Sequence, residues 1–243
     1  MIIFGTTRGL GAALLEYASK YKENDFISVN RRKIVLEKNT RETRLCFDLA
    51  KPSRQKDLDA LFSFLKPRMS YKQIFLVCNA ATIEPIRPVG RAGAQDIQRH
   101  YYTNLVNYAI VINEFIGRSA AFNKVAKKIA IISSGAADSP HHGLSLYCSS
   151  KAALEMLGRC VFEEQKKLKQ VQILSVRPGV IDTGMQEQMR KSPKNNFDKV
   201  DLFKKLYSDG ALASSQKTAR QIYKILVNDK FWKKPVLNLN EID

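Results

Sequence analysis

The chain has 243 residues, 44% hydrophobic and 26% charged, which excludes a disordered, collagen-like or coiled-coil protein and fits one large domain. A core of that size needs neither disulfide nor metal. Lys and Arg number 40 against 23 Asp and Glu, a net charge of +17, but the basic residues fall in short clusters (31–33, 127–128, 166–169, 190–194, 204–205 and 233–234), so a generally basic solvated surface is expected and no specific nucleic-acid site.

Ile2–Phe4 reads as a strand. It runs into Gly5-Thr6-Thr7-Arg8-Gly9-Leu10-Gly11, after which Leu10, Leu14, Leu15, Ala18 and Tyr21 recur at helical spacing. Strand before and helix after make this turn a candidate pyrophosphate cradle. Glycine lets the backbone approach the ligand, and the helix amino terminus offers free N–H groups. The spacing is Gly-x-x-x-Gly-x-Gly rather than Gly-x-Gly-x-x-Gly. Phe26–Val29 reads as a second strand, and Asn30-Arg31-Arg32 follows it. An acidic residue there would bind ribose hydroxyls, whereas guanidinium forks suit a 2′-phosphate. Arg8 can reach the same place, so NADP(H) is expected over NAD(H).

Arg44–Phe47 reads as a weak third strand, and Ser53 ahead of Leu58, Leu61, Phe62 and Leu65 predicts a capped helix. Ile74–Cys78 is a continuous apolar run, the pattern of a strand buried on both faces. A long helix is predicted over about Gln95–Arg118, then a fifth strand over Lys128–Ser133. Ser149–Lys167 reads as helical. In Tyr147-Cys148-Ser149-Ser150-Lys151 the phenol and ammonium stand at i and i+4, which share a helix face. A nearby cation favours phenolate and makes proton transfer feasible near neutral pH. Taken alone, the pair reads equally as part of an ordinary amphipathic helix. Val171–Val176, Ser214–Val227 and Val236–Leu239 read as strand, helix and last strand.

This alternation predicts an α/β fold: a doubly wound, mostly parallel sheet in three α/β/α layers, Rossmann-like, with one domain over 1–243. Thr183–Ala213 interrupts the alternation. It reads as a surface insertion or a substrate lid, and its place beside the candidate site favours a lid over 183–213. Cys46, Cys78, Cys148 and Cys160 form no CxxC and no zinc-spaced cluster, so buried free thiols and no metal site are expected. Free thiols fit a reducing, cytoplasmic setting. Met1–Phe4 is too short for a signal peptide, and no apolar run nears the roughly 20 residues of a membrane span, so no membrane partner is expected.

Gly5, Gly9 and Gly11, then Asn79-Ala80-Ala81, Asn104, Ser134, Tyr147, Lys151 and Pro178-Gly179, follow one another in an order and spacing that resembles the short-chain dehydrogenase/reductase family over nearly the whole chain. The resemblance implies a homodimer or homotetramer that moves hydride between NADP(H) and a small-molecule carbonyl. It implies that Ser134 holds the carbonyl, Tyr147 donates the proton, Lys151 lowers the tyrosine pKa, and Asn104 supports a water-linked relay to Lys151. It places Gly5, Thr7, Arg8, Gly9, Leu10 and Gly11 at the pyrophosphate. Asn30, Arg31, Arg32, Asp48 and Leu49 would meet the adenosine part. Asn79, Ala80, Pro178, Gly179, Ile181 and Thr183 would line the rest of the cofactor.

Phe4 and Cys78 depart from the family's usual Thr and Asn. Asn79–Pro85 and Arg177–Gln186 look most similar to the sepiapterin and benzil reductases of that family, which implies reduction of a ketone or vicinal dicarbonyl. The former anchor a pterin with a carboxylate near the carboxyl terminus; the tail here is Leu237–Asp243. His141 and His142, between Ser134 and Tyr147, read as loop residues that could tune binding. Two alternatives stay open at this point: a cofactor-binding regulatory protein without turnover, and a dehydrogenase working in the oxidative direction.

Overall fold

A computed structural model describes residues 1–32, 41–65, 71–122 and 124–242. Lys33 of the first basic cluster and the terminal Asp243 lie outside the described residues. Seven strands form one sheet: β1 (Ile2–Phe4), β2 (Phe26–Asn30), β3 (Glu42–Cys46), β4 (Gln73–Cys78), β5 (Ala126–Ile132), β6 (Gln172–Arg177) and β7 (Val236–Asn238). The order is β3-β2-β1-β4-β5-β6-β7 and every pairing is parallel. The winding reverses between β1 and β4. The crevice beyond the carboxyl ends of those strands is where a doubly wound sheet accepts a ligand.

The helices are α1 (Gly9–Ser19), α2 (Gln55–Phe62), α3 (Ala94–Tyr101), α4 (Asn107–Ser119), α5 (Ser145–Leu168), α6 (Gly184–Lys191), α7 (Val200–Ser208) and α8 (Ser215–Val227). Successive strand side chains point to opposite faces of a sheet. Phe4, Leu76 and Ile131 accordingly pack with Tyr108 and Phe115 of α4 and Leu154 of α5. Ile3, Val77 and Ala130 pack on the other face with Leu14 of α1 and Ile222 of α8. Both faces are apolar, which is why the central strands read as unbroken apolar runs.

Several expectations change. The long helix over 95–118 is broken by a π-type turn at Tyr102–Val106, where the Asn107 N–H reaches back to the carbonyl of Tyr102. Such turns often mark functional sites. Helix α2 starts beyond Arg54, and Ser53 does not cap it; the Ser53 N–H is held by the Asn107 side chain at 3.1 Å. Helix α5 begins at Ser145, so Tyr147 lies within its first turn. The basic cluster at 127–128 is not solvated. Lys127 donates to the carbonyls of Ser119 and Phe122, while Lys128, 1% exposed, pairs with Asp229 over the Phe75 and Trp232 rings. Of the four free cysteines only Cys78 is fully buried. Cys46, on the edge strand β3, and Cys160, on the solvent side of α5, are exposed. Among the described residues no helix is long and apolar enough to cross a membrane.

Candidate active site

The turn from β1 to α1 is packed tightly around Gly11. A Cβ on Gly11 would overlap the Gly5 carbonyl oxygen and come within 2.5 Å of Asn79 Nδ2, so no side chain fits there. Asn79 Nδ2 donates to the carbonyls of Phe4 at 3.0 Å and Gly5 at 3.3 Å, and the Tyr108 hydroxyl donates to Ala80 O at 2.8 Å. No side chain caps α1, so its first backbone N–H groups remain available to an anion. This side-chain-free turn at a helix amino terminus fits a pyrophosphate.

At the tip of β2 the side chain of Asn30 turns inward. Its Oδ1 accepts from the Thr6 N–H at 2.9 Å and its Nδ2 donates to Thr6 Oγ1 at 2.9 Å. Arg31 and Arg32, next in the chain, are exposed. Asp48 accepts from the Ala50 N–H at 3.1 Å, and Asn107 Nδ2 holds the carbonyls of Leu49 and Lys51. The Arg8 guanidinium lies beside Gly184 at the start of α6.

A single cleft of about 1590 Å³ runs from Gly5 past Arg31 and Asp48 to Ser134, Tyr147 and Thr183. Every residue expected to bind cofactor lines it. Asn104 does not; it stands behind the wall.

Ser134 follows β5 and opens a short 3₁₀ turn, its Oγ accepting from the Ala136 N–H at 3.2 Å. The same hydroxyl acts on the Tyr147 phenol, which lines the cleft beside it. Tyr147 is 8% exposed. Burial pushes its pKa up to about 12, with the Ser134 hydroxyl acting in the opposite direction. Lys151, one helical turn on, donates to the Ile132 carbonyl at 2.7 Å, and burial pushes its pKa down to about 8. A phenol lowered by Lys151 was expected from the i, i+4 spacing; here desolvation dominates instead, and the phenol keeps its proton through neutral pH.

Asn104 sits in the π-type turn. Its Oδ1 accepts from the Thr82 N–H at 2.9 Å and its Nδ2 donates to Thr82 O at 2.8 Å. It thereby fixes the loop after β4, which forms one wall of the cleft. On the far side Ile181 bridges to Ala213, and Thr183 packs against Gly9.

The model of the family described as short chain dehydrogenase matches residues 1–194. The chain belongs to the short chain dehydrogenase family. The benzil reductase ((S)-benzoin forming) of Bacillus subtilis is 34% identical over 227 residues, covering 93% of this chain and 92% of that protein. The sepiapterin reductase of Mus musculus is 28% identical over 180 residues, covering 73% of this chain and 67% of that protein. A crystal structure of a short chain dehydrogenase/reductase from Saccharomyces cerevisiae superposes with a TM-score of 0.84 at 21% identity, over 99% of this chain and 95% of that one. Short chain dehydrogenases are oxidoreductases that work with a nicotinamide cofactor, and the cleft from Gly5 to Thr183 fits one.

The two departures from the short chain dehydrogenase pattern have a packing account. Phe4 meets Phe47 and Tyr108 edge-on, with ring centroids at 5.9 and 5.5 Å. Cys78, buried in the same cluster, has its thiol pushed up by burial. Apolar packing therefore replaces polar ties, and Asn79 alone links the glycine turn to β4.

Sequence reasoning missed three parts of the site. Glu155 of α5, 2% exposed, accepts from Ser133, from Arg159 and from two nitrogens of Arg177, which also pairs with Asp138. Burial alone would raise the Glu155 carboxyl; the bonds from Arg177, Arg159 and Ser133 outweigh it and hold the carboxyl below its usual range. The network binds the ends of β5 and β6 together just before Ser134 and Pro178. Asn238 and Asn240 from the carboxyl-terminal segment line the cleft, Asn240 against Gly179. His100 is buried in the cleft wall, in front of Asn104, which lies behind it. Its position four residues before Asn104 on a helical stretch was the available signal.

Proposed function

We propose that this chain is an NADPH-dependent carbonyl reductase, acting on a ketone or vicinal dicarbonyl with Tyr147 as general acid. The observation that carries this reading is the placing of Ser134 and a buried, protonated Tyr147 together in the wall of the cleft that holds the glycine turn. Bound in that cleft, a nicotinamide supplies hydride to the carbonyl carbon. Ser134 orients and polarises the carbonyl oxygen. Tyr147 delivers the proton as charge develops there. Lys151, held by Ile132 O, places a cation behind the phenol at neutral pH and steadies it as it gives up the proton. Arg31 and Arg32, with no acidic residue at the tip of β2, favour a 2′-phosphate.

The benzil and sepiapterin reductase relatives support a dicarbonyl or side-chain ketone as substrate. In this reading 183–213 is the roof of the substrate site. It is built from α6 and α7, and Phe197, fully buried, packs in one cluster with Tyr147, Leu144 and Ile83. A homodimer or homotetramer in the cytoplasm completes the proposal by family likeness. The test is NADPH consumption with benzil, diacetyl, 1-phenyl-1,2-propanedione and sepiapterin, with NADH and Tyr147→Phe as controls. Turnover of a dicarbonyl that favours NADPH and disappears in Tyr147→Phe is expected. NADPH binding without turnover of any of them would replace the reading with a cofactor-binding protein.

A further inference from the structure

His100 is the one fully buried imidazole of the chain's three, at 1% exposure, and nothing above gives it a task. Its Nδ1 lies 2.7 Å from the Glu84 carbonyl oxygen. A carbonyl only accepts, so Nδ1 carries the proton. The carboxamide of Asn104 is oriented independently, because its oxygen takes the Thr82 N–H. Its NH₂ must then face His100 Nε2, at 3.1 Å, and Ser150 Oγ, at 3.2 Å. Ser150 spends its own proton on the Tyr147 carbonyl at 2.9 Å. Nε2 is therefore left as an acceptor. One neutral tautomer satisfies every group, and it ties three things together: the cleft loop at Thr82–Glu84, the π-type turn, and the Ser150 that precedes Lys151.

We propose that neutral, Nδ1-protonated His100 is a positioning residue of the active site, holding Asn104 and the cleft loop in register with Lys151, and that its protonation on Nε2 loosens Asn104 from the Lys151 helix, leaving it held by Thr82, and lowers turnover at acid pH. The proposal rests on the reductase reading above and adds a control element to it.

Protonation turns Nε2 from acceptor into donor: it would face the NH₂ of Asn104 donor to donor, and its new proton would go to Ser150 Oγ, 3.1 Å away, in competition with the Asn104 bond to that oxygen. The charged group acting on His100 is Lys151 from α5, whose ammonium opposes a second cation. From the loop, Glu84 presents its carbonyl, while its carboxylate pairs outward with Gln188. The neighbouring Tyr101 ring stands edge-on at 5.9 Å and its hydroxyl bonds Ser149. Burial first, and Lys151 in addition, lower the imidazole pKa against the backbone bonds to Glu84 and Leu146. The acid limb therefore falls below the ordinary histidine value of about 6.5. Tyr147, protonated throughout that range, does not produce it.

Two isosteric variants separate the halves of the imidazole. His100→Gln keeps an acceptor near the Nε2 position and cannot titrate. His100→Asn keeps a donor near Nδ1 and removes the His100 acceptor of the Asn104 NH₂, which keeps Thr82 O and Ser150 Oγ. The kinetic measurement is kcat and KM for benzil reduction from about pH 5 to about pH 8, the window in which an imidazole titrates. His100→Gln is expected to rescue turnover at the upper end and to lose the acid limb. His100→Asn is expected to lose about tenfold in kcat at all pH values with little change in KM, the scale of one lost buried hydrogen bond.

A second readout needs no substrate: ¹⁵N spectra of histidine-labelled protein, with His100 assigned by its absence in His100→Gln. These are expected to show Nδ1–H, and a titration below the ordinary histidine value of about 6.5. An acid limb that persists in His100→Gln, or that disappears in His141→Asn instead, overturns the proposal. So does an Nε2–H tautomer, whatever the enzyme reduces. Failure of wild-type turnover with an Nδ1–H spectrum would count against the reductase reading alone.

Discussion

Lys151 Nζ lies 5.8 Å from the centroid of the Tyr147 ring, and its hydrogen bond goes to the Ile132 carbonyl rather than to the phenol. The two residues share a helix face, but the lysine is anchored to the sheet. The phenol answers mainly to burial, and its pKa is pushed up to about 12.

The sign of the pH dependence follows. A general acid works while protonated, and Tyr147 stays protonated up to about pH 9, so reduction should hold around neutral pH and decline only as the Lys151 ammonium, with its pKa pushed down to about 8, loses its charge. The reverse oxidation needs phenolate and should rise with pH over the same range. Initial rates in both directions check this; a reduction rate that falls in step with a rising oxidation rate near pH 7 would show a phenol lowered by Lys151 after all. Tyr147→Phe should cost about 10²–10⁴ in kcat with NADPH affinity retained.

Cofactor choice should reside in Arg31 and Arg32. Replacing both by Ala is expected to raise the NADPH Kd by about tenfold or more while leaving NADH within about threefold, since each charge-assisted contact to phosphate contributes roughly 1.5–3 kcal/mol at most. Fluorescence titration with both cofactors measures it. Equal losses for the two would place the 2′-phosphate elsewhere.

Glu155→Ala should destabilise the fold by about 3 kcal/mol, because it takes from Arg177, 13% exposed at its side chain, its buried partner and leaves it only the exposed Asp138. Urea unfolding gives the value. The sign with pH is set by the lowered carboxyl pKa. The stabilisation is present above the usual carboxylate value and is lost as pH falls through the folded one. Wild type should therefore lose this advantage over the mutant in acid. A constant gap down to about pH 2 would assign the effect to packing.

Gly143 has φ +80°, and a Cβ there would overlap the Asn196 carbonyl oxygen. Gly143→Ala should therefore push 196–197 off the helix carrying Tyr147 and withdraw Phe197 from its cluster. If this insertion roofs the substrate, KM for the carbonyl should rise about tenfold with NADPH affinity unchanged, as expected when substrate positioning alone is disturbed. A proportional loss of both would mean general unfolding.

The sheet was legible in the sequence because its strands are buried on both faces and show as apolar runs. The glycine turn and Tyr147–Lys151 were legible because backbone approach and helix periodicity impose spacing. What was not legible depends on contacts between distant segments. The inward turn of Asn30 needs Thr6; the burial of Lys128 needs Asp229 and Trp232. The π-type turn at Asn104 depends on Thr82, which sequence periodicity cannot see. The Tyr147 pKa was misjudged for the same reason: spacing announces a nearby cation but says nothing of desolvation.

Asn30 shows what the inward turn means for redesign. Both ends of its amide are turned to Thr6, so the last residue of β2 acts as a latch between two loops. An acid there, the obvious route toward the other nicotinamide, would keep the latch, its carboxylate accepting from the Thr6 N–H and hydroxyl, and would be drawn to Thr6 before it recruited a ribose hydroxyl. Any change of coenzyme in this chain has to be made one or two residues further out.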